Sequence, residues 1–314
     1  MKNIITGALA ALFMFTNLGA AELVKPNLSL KLYPEGQGVD KGIVENGKQI
    51  TMGPLMSNGI EGKFTVSESG SISNMNDPYM DIYLPEKGNG QMIVVCPGGG
   101  YSHLSSYNEG TRVADWCIRH DIAVCVIHYR IPNGHHKVPL WDVQNAFRYC
   151  RAHSAEWGIR QIGVMGFSAG GHLAASASTL YVDDITRPDF SVLVYPVITL
   201  DEFVTHEGTR VNLIGQRAGK DMVEHYSLDN NVNRNTPPAI LLLSADDNAV
   251  PPENSIRYFR AMQASGVSGE LHIFTSGGHG WGFTTIENSG RDALGGQRQY
   301  FFDILERWLK AQNR

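Results

Sequence analysis

The sequence predicts an α/β fold with a mostly parallel central sheet, helices on both faces and a small cap insertion. Three observations predict it. Apolar strand-like runs recur at residues 79–84, 92–96, 122–128, 161–165, 191–195, 239–244 and 270–274. Amphipathic helix-like stretches lie between or after most of them, at 108–120, 140–156, 170–181, 253–265 and 297–312. The runs are also nearly continuous in apolar residues, AILLLS at 239–244 being the clearest, as strands buried on both faces require. Strands that alternate with helices are βαβ units, and one domain over residues 76–314 accounts for them all.

Taken in order, the chain begins with a segment that is not fold. Lys2 precedes an apolar stretch from Ile4 to Leu18, followed by Gly19-Ala20-Ala21. A basic start, an apolar run of this length and a small-residue site make residues 1–21 a signal peptide, the alternative being an N-terminal anchor. Export to the periplasm or beyond is expected. No later run approaches membrane length, so no stable membrane association is expected after cleavage. Residues 22–75 are rich in Gly, Ser and Asn and form an irregular arm with a few edge strands, such as 29–33 and 63–66. The strand–helix order then holds until residues 196–235, a polar, Asn-rich stretch too long for an ordinary connection. It folds over the sheet as a cap or runs as a surface loop.

Composition narrows the function classes. A net charge of −5, with 42% hydrophobic and 18% charged residues, describes a globular chain and excludes disordered, collagen-like or coiled-coil architecture. Without a basic stripe, no nucleic-acid partner is expected. Four Cys, at 96, 117, 125 and 150, sit in apolar strand or helix patterns and read as buried thiols, with one disulfide as the alternative in an exported chain. No HExxH or Cys/His ligand spacing is present, so neither a metal nor a cofactor is expected. Oligomeric state leaves no trace in the sequence.

Glycine is abundant, 34 residues, and clusters at 98–100, 166–171 and 277–282. In Gly166-Phe167-Ser168-Ala169-Gly170, a strand precedes the serine and a helix follows it. A sharp strand-to-helix turn holds such a serine out from the sheet edge at the positive end of the helix, the placement of a nucleophile. Its hydroxyl needs a base and an orienting acid. His279 lies in Gly277-Gly278-His279-Gly280-Trp281-Gly282, after one strand and before the last helix, and is the base. The preceding strand ends in SADDNAVPP, which offers Asp246 and Asp247 as the acid; Asp247 is favoured and Asp201 is a distant third. The cluster Gly98-Gly99-Gly100 follows an early strand, where backbone amides can approach an oxyanion without a Cβ in the way. The amides of Gly99, Gly100 and Ala169 are the expected oxyanion hole. Tyr101, Trp281 and His103 flank the site in sequence; they either contact substrate or pack as loop aromatics.

The stretches VVCPGGGYSHLSSYNEG, HYRIP, PLWDVQNAFRYCRAHSAEWGI, GVMGFSAGGHLAA, RPDFSVLVYPVI, THEGTRVNLIG, SADDNAVPPENS and ELHIFTSGGHGWGF carry a resemblance. Together they resemble the bacterial acetyl xylan esterase-like branch of the α/β-hydrolase superfamily, relatives of the hormone-sensitive-lipase-type esterases. The resemblance spans about residues 79–312. It supports Asp247 through the spacing Asp247-x-x-Val250-Pro251, and it matches the family's H-G-G-G loop with Cys96-Pro97 in place of the His. It implies an exported serine carboxylesterase acting through Ser168, His279 and Asp247 on small acyl esters, with acetylated oligosaccharides such as xylan fragments as substrates. Two alternatives remain from the residues: a serine peptidase or arylformamidase-like amidase of the same fold, and a non-catalytic binding protein on a hydrolase scaffold.

Overall fold

A computed structural model of the chain describes residues 23–33, 43–45, 48–50, 65–67, 69–285 and 290–313. The signal peptide read at residues 1–21 and much of the 22–75 arm lie outside the described residues. Eight strands form the main sheet: β1 (Leu28–Lys31), β2 (Tyr79–Tyr83), β3 (Gln91–Cys96), β4 (Ala123–His128), β5 (Gln161–Phe167), β6 (Ser191–Val194), β7 (Ala239–Ser244) and β8 (Gly269–Phe274). Their spatial order is β1-β2-β4-β3-β5-β6-β7-β8. The first two are antiparallel to their neighbours, with Leu28 opposite Ile82 and Tyr79 opposite His128. Every other pairing is parallel. The chain leaves β3 towards β4 on one side and returns to β5 on the other. That reversal opens a crevice at the carboxyl ends of β3 and β5, where open α/β sheets bind ligands.

Side-chain alternation along each strand feeds two cores, one per face. On β3, Met92, Val94 and Cys96 join one cluster, and Ile93 and Val95 join the other. The first core is closed by α2 (Val138–His153), α3 (Ala169–Thr179) and α6 (Glu253–Ala264), through residues such as Phe147, Leu173 and Tyr258. The second is closed by α1 (Arg112–Ile118) and the C-terminal α7 (Arg298–Gln312), through Val113, Phe301, Leu305 and Trp308. Between β6 and β7 the chain forms α4 (Glu207–Ile214), α5 (Lys220–Tyr226) and a 3-10 turn, Leu228–Asn231. The polar stretch at 196–235 is therefore a small helical insertion and not a bare loop. One expected helix differs at its start: residues 107–111 form a π-helical turn before α1 begins. All four cysteines are free and buried.

The N-terminal arm is tied to the body by a buried charge cluster. Arg130, just past β4, donates its Nε to Asp142 of α2 at 3.1 and 3.0 Å and its backbone amide at 2.9 Å. The Tyr33 hydroxyl donates to the same carboxylate at 2.8 Å, and the guanidinium lies 5.0 Å over the Tyr33 ring. With side chains 5% and 0% exposed, neither ion of the pair has water to fall back on. Removing one partner from such a pair strands the other. Asp142→Ala is expected to lower stability by about 3–5 kcal/mol, read as a fall in the urea midpoint with little change in slope. A midpoint within error of wild type would show that Arg130 finds solvation elsewhere.

Candidate active site

Gly166 to Gly170 turns the end of β5 into the start of α3, and Ser168 occupies the turn with φ 54° and ψ −120°. A non-glycine residue in that region is strained by about 1–3 kcal/mol and persists only where its surroundings fix it. Here they do. The Ser168 amide donates to the Val194 carbonyl at 3.1 Å, and its own carbonyl accepts from Val197 and His172 at 3.1 Å each. Glycine is obligatory beside it: a Cβ on Gly170 would lie 2.1 Å from the Cys96 carbonyl oxygen and 2.4 Å from that of Pro97. That contact brings the elbow against the loop following β3.

The residues expected to act together meet. His279 Nε2 lies 2.8 Å from Ser168 Oγ, and His279 Nδ1 lies 2.7 Å from Asp247 Oδ2. Asp247 is fully buried, and its other oxygen accepts the amides of Ala249 and Val250 at 2.9 Å each. Both oxygens being held, the carboxylate is oriented before any substrate arrives. Asp246 points elsewhere. It is exposed and accepts the Gly278 amide at 2.8 Å, and that hydrogen bond holds its carboxyl below the usual range. It shapes the loop that carries His279 without touching the imidazole. Asp201 pairs with Arg257 at 3.1 Å and takes no part.

The loop after β3 sits in front of Ser168. Gly99, with φ +128°, has its Cβ position 2.1 Å from the His103 carbonyl oxygen, so no side chain fits there. The amides of Gly99, Gly100 and Ala169 find no acceptor among the described residues. The Ala169 amide opens α3, at the amino end where negative charge is favoured, and Gly98, at the start of the loop, lies against Ser168.

Two expectations about flanking aromatics need correction. Trp281 is 1% exposed, donates its Nε1 to Ser244 Oγ at 3.0 Å and packs edge-on against Tyr195 and Phe301. Tyr101 is equally buried, with its hydroxyl 3.1 Å from His172 Nδ1. Neither ring offers a face to a substrate; both are core. His103 stays half-buried, its Nδ1 3.1 Å from the Ser102 hydroxyl, and burial pushes its pKa down.

One residue escaped the sequence reading. His206 caps α4, its Nδ1 accepting the Thr209 amide at 3.2 Å. Nδ1 is thereby an acceptor, which leaves the proton of a neutral ring on Nε2. Its Cε1 lies 3.5 Å from where a Gly100 side chain would begin, and burial together with the nearby His279 pushes its pKa down. Nothing in the sequence singled it out: His206 lies in the polar 196–235 stretch, and His is not among the residues that commonly cap helices. Among the described residues, no group of His, Cys, Asp and Glu is arranged to hold a metal ion, and no helix is long and apolar enough to cross a membrane.

Comparison with known proteins agrees with this architecture. A model of the BD-FAE family matches residues 80–262, more than half of the chain. The chain belongs to the BD-FAE family. It is 41% identical over 229 residues to an acetylxylan esterase of Xylanibacter ruminicola, covering 71% of this chain and 47% of that protein. It is 31% identical to endo-1,4-beta-xylanase B of Butyrivibrio fibrisolvens, covering 60% of this chain and 32% of that one. The chain thus spans less than half the length of these two relatives. Among solved structures, an acetyl ester-xyloside bifunctional hydrolase from Caldicellulosiruptor lactoaceticus matches with a TM-score of 0.71 at 30% identity, over 92% of this chain and 97% of that one. The fold of this BD-FAE member is that of the α/β-hydrolases, as the glycine-bounded serine implied.

The geometry separates the two neighbouring carboxylates. Asp247→Asn should slow covalent labelling of Ser168 by a fluorophosphonate by about a thousandfold, because an amide favours the wrong imidazole tautomer. Asp246→Asn should slow it by less than about tenfold, as only a loop contact is weakened. The opposite ranking, followed by mass spectrometry of the labelled peptide, would exchange their roles.

Proposed function

We propose that the protein is an exported serine carboxylesterase that removes acetyl and similarly small acyl groups from carbohydrate esters such as xylan fragments. The observation that carries this reading is the 2.8 Å contact of His279 Nε2 with Ser168 Oγ beside three amides without acceptors. The similarity to proteins named acetylxylan esterase and acetyl ester-xyloside hydrolase supports the choice of bond and substrate class.

In this mechanism His279 takes the Ser168 proton as Oγ attacks the ester carbonyl carbon, and Asp247 stabilises the imidazolium without accepting its proton. The carbonyl π electrons move onto oxygen, where the amides of Gly99, Gly100 and Ala169 receive the charge. Each such donor contributes about 3 kcal/mol to the transition state. Collapse expels the sugar oxygen, which takes the proton from His279. Water then enters, gives its proton to His279 and attacks the acyl-serine; the acid leaves and Ser168 recovers its proton. The helical insertion between β6 and β7 puts the polar His206 near Gly100.

Ser168→Ala should reduce p-nitrophenyl acetate hydrolysis by about 10⁴-fold or more while the thermal unfolding curve stays two-state. Retained turnover would refute the nucleophile assignment. Wild-type activity should fall steeply from acetyl to octanoyl esters, and acetate should be released from acetylated xylan; a long-chain preference would refute the substrate class. Export is checked by the amino terminus of protein recovered outside the cytoplasm, expected at Glu22, with an intact Met1 as the refuting result.

A further inference from the structure

Glu109 is a carboxylate that this mechanism does not use. It lies in the π-helical turn before α1 and is 4% exposed. Donors face both of its oxygens: the Gly98 amide reaches Oε2 at 2.8 Å, and the Tyr195 hydroxyl reaches Oε1 at 2.7 Å. The Tyr195 oxygen accepts the Gly282 amide at 2.8 Å, so its own proton is available for Glu109. Three segments meet at this point. Gly98 begins the loop that carries the free amides, Tyr195 follows β6, and Gly282 ends the loop that carries His279.

The contacts are tight on the side of the reacting atoms. A Cβ on Gly98 would lie 2.8 Å from Glu109 Oε2 and 3.1 Å from Ser168 Cβ, which puts the carboxylate behind the serine. The Tyr195 ring lies against the His279 imidazole with centroids 4.7 Å apart. Burial pushes the Glu109 pKa up, while the Tyr195 and Gly98 donors and the nearby His279 hold it down. With every neighbour donating, the site is satisfied by an anion; a Gln would offer one acceptor to two donors. The other charged or titratable groups facing His279 are Asp247 on its Nδ1, His206 from the insertion, and Asp246 through the Gly278 amide. On the Tyr195 side, Arg298 of α7 donates to the Gly282 carbonyl at 2.7 Å and pairs with Asp292 at 3.0 Å, and Tyr129 lies near Glu109.

We propose that Glu109 is a positioning residue that locks the amide loop and the base loop together through Gly98, Tyr195 and Gly282, and whose negative charge is a second counter-charge for the His279 imidazolium. The proposal rests on the serine-esterase reading above. Removing the charge while keeping the shape makes the imidazolium harder to hold, so activity should persist to lower pH while the maximal rate falls. Loss of the tie alone lowers the rate and leaves the pH profile in place.

The test compares Glu109→Gln, Tyr195→Phe and Ser168→Ala on p-nitrophenyl acetate across pH. Glu109→Gln is expected to lower kcat about tenfold with KM nearly unchanged, and to move the acid limb of kcat/KM down by about half a pH unit. Tyr195→Phe keeps the charge; it should lower kcat with the acid limb unmoved. An acid limb that stays put or rises in Glu109→Gln overturns the counter-charge. If that variant does not accumulate as folded protein, Tyr195→Phe and Glu109→Asp decide, and wild-type kcat in both overturns the proposal. Activity retained by Ser168→Ala would overturn the esterase reading itself, whereas an inactive Ser168→Ala beside a wild-type-like Glu109→Gln overturns only the role of Glu109.

Discussion

Two turns at the ends of adjacent parallel strands pass within contact distance, and the rest of the site depends on that approach. Gly170 sits against the Cys96 and Pro97 carbonyls with no room for a methyl group. Because β3 and β5 pair directly, with Gly166 opposite Cys96, the close approach is set by sheet hydrogen bonds and not by loop packing. It brings the loop after β3 against the turn after β5, the approach that the proposed reaction needs. Any side chain at the contact would wedge the two strand ends apart. The glycines are therefore a spacing device first and a source of flexibility second.

Strain collects at the same edge. Ser168, Tyr101 and Tyr195 all adopt positive φ, at 54°, 56° and 35°, and each follows the carboxyl end of a central strand. A cost of about 1–3 kcal/mol per residue is sustained because each is held from several sides. Tyr195, for one, has its amide on the Leu242 carbonyl at 2.8 Å and its hydroxyl between Glu109 and Gly282. Under the proposed mechanism, fixing these groups at folding leaves little to reorganise during reaction, which is where preorganised electrostatics act.

Much of this was legible in the chain. The strand runs, the glycine-bounded serine and the histidine between glycines are local patterns, and local patterns survive in one dimension. Of the two adjacent carboxylates, the spacing Asp247-x-x-Val250-Pro251 favoured Asp247; alternation along AILLLSADD does not itself say which one a loop turns inward. The structure turns the two opposite ways: Asp247 is enclosed against His279 and Asp246 is exposed. Glu109, Tyr195 and His206 carry no such signature. Glu109 and Tyr195 meet across 86 positions, and the cap that His206 makes on α4 has no sequence signal beyond the residue itself. An isolated Glu in a helical stretch reads as a solvated face. Trp281 and Tyr101 misled for the converse reason, since nearness to a motif in sequence says nothing about which side of the loop a ring occupies.

The enclosed acids also constrain one another. Asp247 receives two amides and an imidazole, and Glu109 receives an amide and a phenol. Charges this deep persist only when fully hydrogen-bonded, so each loop that supplies a donor is held by the anion it satisfies. The loop from Gly277 to Gly282 is held at both ends by acceptors, the exposed Asp246 taking the Gly278 amide and the Tyr195 hydroxyl the Gly282 amide. His279 lies between those two anchors. In the proposed mechanism, those two anchors fix the backbone on either side of His279, while Asp247 and the Tyr195 ring hold its imidazole towards Ser168.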